Sequence, residues 1–327
     1  MNQPDPDRTP GLELVRITED AAIAAAHWMG HGDNTQADRA AVEAMRKTMD
    51  DVSFNGTIVI GEGERDEAPM LFIGEKVGSG SGPEVHIAVD PLEGTNLVAK
   101  GRANAIAVMA VSEPGGLLHA PDTYMEKLAV GAPAKGKVDL DRPVAENLKI
   151  IAESLHREVR DLTVVVLDRP RHERIIQDVR QAGARIKLID DGDVIAALSV
   201  AVAGTGVHAV MGSGGAPEGV LAAAALRCLG GEILGRLRFR SDEERARAKR
   251  MGVTDEQRIY RTEDLASGRD LRFIATGVTD GELLQGVRFF GHGVRTHSIL
   301  LDGTRGKLRF IDTTHFADPE HPPVIRL

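Results

Sequence analysis

The chain has 327 residues, 42% apolar, 27% charged and only 3% aromatic, with a formal net charge of −9. That length supports a full core, in two domains or one large layered domain, built mainly from Ala, Val, Ile and Leu. The acidic balance argues against general binding to nucleic acid or an anionic membrane and leaves only a local basic pocket open. A single cysteine, Cys228, permits no internal disulfide, fits a reducing compartment and, set in an apolar run, reads as a buried inert thiol. The opening MNQPDPDRTP is polar and Pro-rich without an apolar leader core, and the longest apolar stretch, VIAALSVAVAG, is too short to span a bilayer. The expectation is a soluble, cytoplasmic protein.

Leu14, Ile17, Ile23 and Trp28 predict a helix over 12–30, and Val42, Met45 and Met49 a second over about 36–50. Thr35 and Asp38 fit a capping box at the start of that second helix. GTIVIGEGE (56–64) reads as a short β-branched strand. EKVGSGSGPEVHIAVD predicts strand, Gly-rich hairpin and strand. Its GSGSG (78–82) lacks the Lys-Ser/Thr ending of a P-loop. ANAIAVMAVSE adds another strand. GAPAKGKVDLDRP (131–143) is loop-like and marks a seam between domains at 1–145 and 146–327, with the C-terminal strands able to return to the first. The rhythm then changes. LTVVVLD (162–168) is a strand followed by a helix from Pro170 to about Ala182; ARIKLID (184–190) is a strand followed by a helix from about Asp193. GVHAVMGSGG leads through glycines to a helix from Pro217. This alternation predicts parallel connections and an α/β (α+β) fold. Residues 240–268 are charged, helical or irregular, and HSILLDGTRGKLRFID predicts a closing hairpin.

Acidic residues recur where apolar segments end. Asp38 reads as a cap. Glu62 sits beside Glu64, Asp66 and Glu67 in a loop that repels itself unless cations offset it. In HIAVDPLEGTN, Asp90 and Glu93 sit in a turn with Pro91 and Gly94 at the carboxyl end of a strand apolar on both faces, the usual ligand crevice of α/β sheets. Glu218, after Pro217, suits the positive end of a helix. These are hard oxygen donors, and no Cys/His cluster has zinc spacing, so Mg²⁺ or Mn²⁺ fits better than structural zinc. Several carboxylates around divalent ions are the apparatus of phosphoryl transfer to water. VVVLDRPRHERI places Arg169, Arg171 and His172 in or beside the first turn of a helix. Cations there cost roughly 0.3–1 kcal/mol each, which Glu173 partly offsets and a bound phosphate would reverse. DDGDV (190–194) offers oxygens suited to capping or to sugar hydroxyls.

VDPLEGT resembles the signature of the lithium-sensitive, metal-dependent phosphatase superfamily. IVIGEGERDEAPML, AVDPLEGTN, APDTYMEKL, PRHE, DGDV and GGAPEGV, in that order, resemble class II, bacterial-type fructose-1,6-bisphosphatase from about residue 12 to the C-terminus. The resemblance implies a layered α/β/α/β/α sandwich and hydrolysis of the 1-phosphate of fructose 1,6-bisphosphate in gluconeogenesis. It implies Mn²⁺ or Mg²⁺ on Asp38, Glu62, Asp90, Glu93 and Glu218. Substrate contacts fall on Glu93, Gly94, Thr95, Tyr124, Arg171, His172, Glu173, Asp191, Gly192, Asp193 and Gly215. Thr95 would orient or help deprotonate the attacking water with Glu62 as partner, and Arg171 and His172 would grip the distal phosphate. Homodimers or homotetramers are implied, with no nucleic-acid or membrane partner. Relatives often carry a basic residue where this chain has Asn34. Alternatives are a dual fructose-1,6-/sedoheptulose-1,7-bisphosphatase, an inositol-type phosphatase, and a sugar-phosphate sensor without turnover.

Overall fold

A computed structural model of the chain describes residues 11–63, 68–291 and 293–316. The Pro-rich opening segment and Glu64, Asp66 and Glu67 of the acidic loop lie outside the described residues. Helices α1 (Glu13–Ala26) and α2 (Asn34–Met49) come first, then β1 (Asn55–Ile60), β2 (Lys76–Val77), β3 (Glu84–Glu93), the short α3 (Thr95–Ala99) and β4 (Ile106–Ser112). The middle of the chain runs β5 (Tyr124–Val130), α4 (Val144–Ser154), β6 (Thr163–Leu167), α5 (Glu173–Gln181), β7 (Arg185–Ile189), α6 (Asp193–Ser199), β8 (Ala209–Gly215), α7 (Ala216–Leu229) and β9 (Glu232–Arg238). It closes with α8 (Asp242–Arg250), α9 (Thr262–Leu265), β10 (Arg272–Gly277), β11 (Arg288–Phe290), β12 (Gly293–Asp302) and β13 (Lys307–Phe316).

The strands form two sheets. The first has the order β11-β12-β10-β4-β3-β1-β2, with β13 also paired to β12; the second is β7-β6-β8-β5-β9. The chain leaves the first sheet after Ser112, enters the second at Tyr124, and is back in the first by Arg272. Three apolar cores stack these parts into layers. Leu14 and Ile17 of α1 and Met45 and Met49 of α2 pack on Ile58, Ile87 and Met109 of the first sheet. On its other face, Val59, Ala88, Val108 and Phe273 meet α7, which in turn meets Met125, Val165 and Leu237 of the second sheet. Leu148 and Ile151 of α4 and Ile176 and Val179 of α5 cover the far side of that sheet. The result is the α/β/α/β/α sandwich the sequence implied. Its central helix explains the run VLAAAAL: residues 220–226 are buried all round, and small side chains let two sheets approach one helix. Among the described residues no helix is long and apolar enough to cross a membrane.

Three local expectations are corrected. The N-cap of α2 is Asp33, whose carboxylate accepts the Gln36 N–H at 3.0 Å, so Thr35 and Asp38 form no capping box and Asp38 lies inside the helix. β2 and β3 are not a hairpin. β1 stands between them, antiparallel to β2 and parallel to β3. The Gly-rich loop instead bonds to the segment entering β1, and a Cβ at Gly78 (φ +95°) would stand 2.3 Å from the Phe54 carbonyl oxygen. Two strands and a glycine loop read alike in sequence whether they pair or enclose a third strand. Finally, Pro170–His172 form a single 3₁₀ turn, and the α-helix begins only at Glu173. In the second half, β6 runs parallel to both β7 and β8 as the alternation predicted, and β12 and β13 form the closing antiparallel hairpin.

Candidate active site

β3 is flanked by β1 and β4, and its Ile87, Ala88 and Val89 are buried, as an apolar run on both faces of the pleat requires. At Asp90 the strand opens onto an internal cavity. There the Leu92 N–H donates to Asp90 Oδ1 at 3.1 Å, and the register against β4 shifts between Asp90 and Glu93. The irregularity delivers both carboxylates to one cavity of about 490 Å³. Asp38 reaches it from α2, Glu62 from the end of β1, and Glu218 from the first turn of α7. Gly94 and Thr95 line it at the start of α3, and Tyr124 at the start of β5. Asp191, Asp193 and Gly215 complete the set supplied by the second sheet and its loops.

The carboxylates are held where they cost free energy. Burial, reinforced by the charge of Asp38, pushes the Glu62 carboxyl up to about 7. Burial and then the charges of Glu218, Glu62 and Asp38 hold Asp90 well above its ordinary range. Burial, then Asp193 and Asp90, does the same to Glu93, against one favourable bond from the Val194 N–H to Oε1 at 2.7 Å. Burial likewise raises Asp38, Asp191 and Glu218, the last opposed by the Lys127 ammonium. Glu93 Oε2 and Glu218 Oε2 are buried without a hydrogen-bond partner among the described residues. An unpaired carboxylate oxygen in an acidic cavity requires a proton or a cation. The donor set is all hard oxygen, which fits a divalent cation such as Mg²⁺ or Mn²⁺. Among the described residues no three His, Cys, Asp or Glu side chains already stand as a ready ligand cage, so the fit rests on donor chemistry and the orphaned oxygens.

Cations of a different kind complete the cavity. Arg169 and Arg171 both line it, and neither has a carboxylate partner among the described residues. Arg169 donates to the carbonyls of Asp168 and Asp190, and Arg171 donates twice to the Ser213 carbonyl, at 3.2 and 2.8 Å. Docking on carbonyls fixes each guanidinium without neutralising it, which suits an anionic ligand.

Not every expected residue reaches this cavity. His172 is buried, its Nε2 accepts the Ser213 N–H at 2.8 Å, and its Nδ1 lies 2.8 Å from the Leu167 carbonyl. With Nε2 accepting, Nδ1 carries the proton and donates, so both ring nitrogens are consumed by backbone. Burial also holds its pKa below the ordinary value. His172 therefore ties the Arg171 loop to β8 and does not grip phosphate. Glu173 is exposed at the start of α5, and Gly192 is the left-handed cap of α6; neither lines the cavity. Asn34 is exposed and donates to Asn96 Oδ1 at 3.2 Å. Sequence reasoning set Arg169 beside a bound phosphate without counting it a substrate contact, and it missed Asp122, which lines the cavity, and Lys127, which pairs with a residue that does. Lys127 pairs with Asp193 at 2.6 Å, with side-chain exposures of 6% and 12%. The signal for it was a lysine inside the apolar strand YMEKLAV.

The family profile described as "Bacterial fructose-1,6-bisphosphatase, glpX-encoded" matches residues 8–315. A protein of Synechococcus sp. (strain JA-3-3Ab) named "D-fructose 1,6-bisphosphatase class 2/sedoheptulose 1,7-bisphosphatase" is 53% identical over 345 residues, covering 98% of this chain and 99% of its own. Proteins with the same name from Synechocystis sp. (strain ATCC 27184 / PCC 6803 / Kazusa) and Trichodesmium erythraeum (strain IMS101) are each 50% identical; the alignments cover 98% and 94% of this chain and 99% and 96% of theirs. A match over nearly the whole length, together with a cavity that joins buried carboxylates to unneutralised arginines, assigns the chain to the glpX-type bacterial fructose-1,6-bisphosphatase family.

Proposed function

We propose that this chain hydrolyses the 1-phosphate of fructose 1,6-bisphosphate, giving fructose 6-phosphate and inorganic phosphate. The observation that carries the reading is one cavity in which orphaned carboxylate oxygens share a wall with two arginines that have no acidic partner among the described residues. Asp38, Glu62, Asp90, Glu93 and Glu218 would hold Mg²⁺ or Mn²⁺, which supplies charge stabilisation on the transferring phosphoryl group and leaving oxygen. Thr95 Oγ1 has no hydrogen-bond partner among the described residues and is free to hold the attacking water. Glu62, in the same cavity, is the acceptor for the proton that water gives up. Attack in line with the leaving oxygen then needs no covalent phospho-enzyme. Arg169 and Arg171 hold the distal phosphate, Tyr124 packs beside it, and Asp191 and Asp193 face the sugar hydroxyls. The family's resemblance supports a cytoplasmic homodimer or homotetramer.

A second reading has a specific support: the relatives' names pair this activity with sedoheptulose-1,7-bisphosphatase. A panel of fructose 1,6-bisphosphate, sedoheptulose 1,7-bisphosphate and an inositol monophosphate separates the readings, with release expected from the first and breadth decided by the second. Thr95→Ala should lower kcat by about 10²–10⁴-fold while KM changes little, as loss of a group acting on the water requires. Turnover within tenfold of the parent protein would contradict the role given to Thr95.

A further inference from the structure

The Tyr124 ring is contacted by two guanidinium groups: Arg171 Cζ lies 4.8 Å from its centroid and Arg240 Cζ 4.6 Å. Arg171 lines the cavity; Arg240 does not. The two cations are also held differently. Arg171 has no carboxylate partner among the described residues, whereas Arg240 is gripped by Glu244, with Nε to Oε1 at 2.7 Å and Nη2 to Oε1 at 2.5 Å. The Arg240 backbone N–H donates to the other oxygen of the same carboxylate at 2.8 Å. Thr123 Oγ1 lies within 2.9 Å of that oxygen, and Arg247 Nη2 donates to the Asp122 carbonyl at 2.5 Å. Helix α8 is thus tied to Asp122, Thr123 and Tyr124, and Asp122 and Tyr124 both line the cavity. The helix buries only Glu244 and Ala248, so polar ties, not an apolar face, hold it to the body.

We infer that Arg240 is a positioning residue for the bisphosphate, an inference that rests on the proposed function. Clamped by Glu244, it fixes the Tyr124 ring, and the ring is the wall against which Arg171 is set. The division of charge fits that role. Glu244 neutralises Arg240, which therefore does not compete for the phosphate, while Arg171 keeps its full charge for it. Removing Arg240 frees the ring and leaves Arg171 held only by the Ser213 carbonyl. The loss falls on binding of the distal phosphate and not on the chemistry at the other end.

Steady-state kinetics of Arg240→Ala, Arg240→Gln and Arg240→Lys test this with two substrates. One is fructose 1,6-bisphosphate; the other is fructose 1-phosphate, which carries the scissile phosphate but no distal one. Arg240→Ala should raise KM for the bisphosphate by about two- to fivefold with kcat unchanged, the range expected for one solvent-exposed cation–π contact. Arg240→Lys should recover part of that loss, and kinetics on fructose 1-phosphate should not change. Should the alanine variant fail to fold, Arg240→Gln keeps length and planarity without the charge and should show the same bisphosphate-specific rise. An unchanged KM for the bisphosphate, or an equal loss on both substrates, overturns the inference. An active parent protein matched by its Arg240 variants contradicts this inference alone. A parent inert towards the bisphosphate contradicts the proposed function as well.

Discussion

A Cβ on Gly215 would stand 1.9 Å from Glu218 Oε2, because that carboxylate folds back over the entrance to its own helix. The obstacle is the far end of a side chain, so Gly215→Ala should fold normally yet swing the carboxylate out of place. We expect kcat/KM to fall by roughly 10²-fold, the scale of an ångström's misplacement, with melting temperature nearly unchanged. Kinetics beside a thermal melt checks both halves. At this scale Asp90 and Glu93 stood out as carboxylates where an apolar run ends, whereas Glu218 read by itself as a helix cap and joined them only through the family resemblance. His172 was misjudged for a physical reason. A histidine beside arginines reads as part of an anion site, and only the structure shows both its nitrogens spent on the Leu167 carbonyl and the Ser213 N–H. Its lowered pKa has a sign: the neutral ring is the one that fits, so its contribution is full above about 6.5 and is lost as pH falls below that. His172→Gln should therefore flatten part of the loss of stability between about pH 6.5 and 5 that the parent shows in pH-dependent melts.

Among the elements, α7 and α8 are opposites. α7 is buried all round, and Ala223 at its middle is fully enclosed between the sheets. Ala223→Leu should destabilise by about 1–3 kcal/mol or more through overpacking, read as a lower denaturant midpoint at unchanged slope. α8 is charged and attached by Glu244, whose side chain is 11% exposed. Burial would raise that carboxyl, but the Arg240 side chain and N–H and the Thr123 hydroxyl together hold it at about 2. The sign follows: its contribution is present above the unfolded value near 4.3 and is lost as pH falls towards 2. Glu244→Gln should cost about 1–2 kcal/mol at pH 7 after allowance for solvent screening, and the gap to the parent should close across that acid window. α7 was legible from Pro217 and the apolar run after it, whereas α8 fell in a charged stretch that reads equally as helical or irregular. The pairing of β2 with β1 was not legible, since strand order depends on contacts far apart in sequence.

Across the whole molecule, the layered sandwich was legible through motif order more than through composition. Periodicity gave the elements, but which strands share a sheet, and the return of residues 272–316 to the first sheet, depend on non-local pairing. That return adds β10, β12 and β11 beyond β4, so β3, the strand carrying Asp90 and Glu93, lies inside the sheet between β4 and β1. The cavity's crowded carboxylates tie its function to folding stability. A cation bound only by the folded chain should raise stability by about 2.7 kcal/mol at a hundredfold excess over its Kd. A thermal melt of metal-stripped protein with and without Mn²⁺ or Mg²⁺ reads that directly. The proposed function makes this cavity the place of cation-dependent hydrolysis of a sugar bisphosphate. Its most direct test is phosphate release from fructose 1,6-bisphosphate by purified, metal-stripped protein, before and after Mn²⁺ or Mg²⁺ is restored. Negligible release is expected before and sustained turnover after; a folded sample that releases no phosphate with either ion would contradict this function.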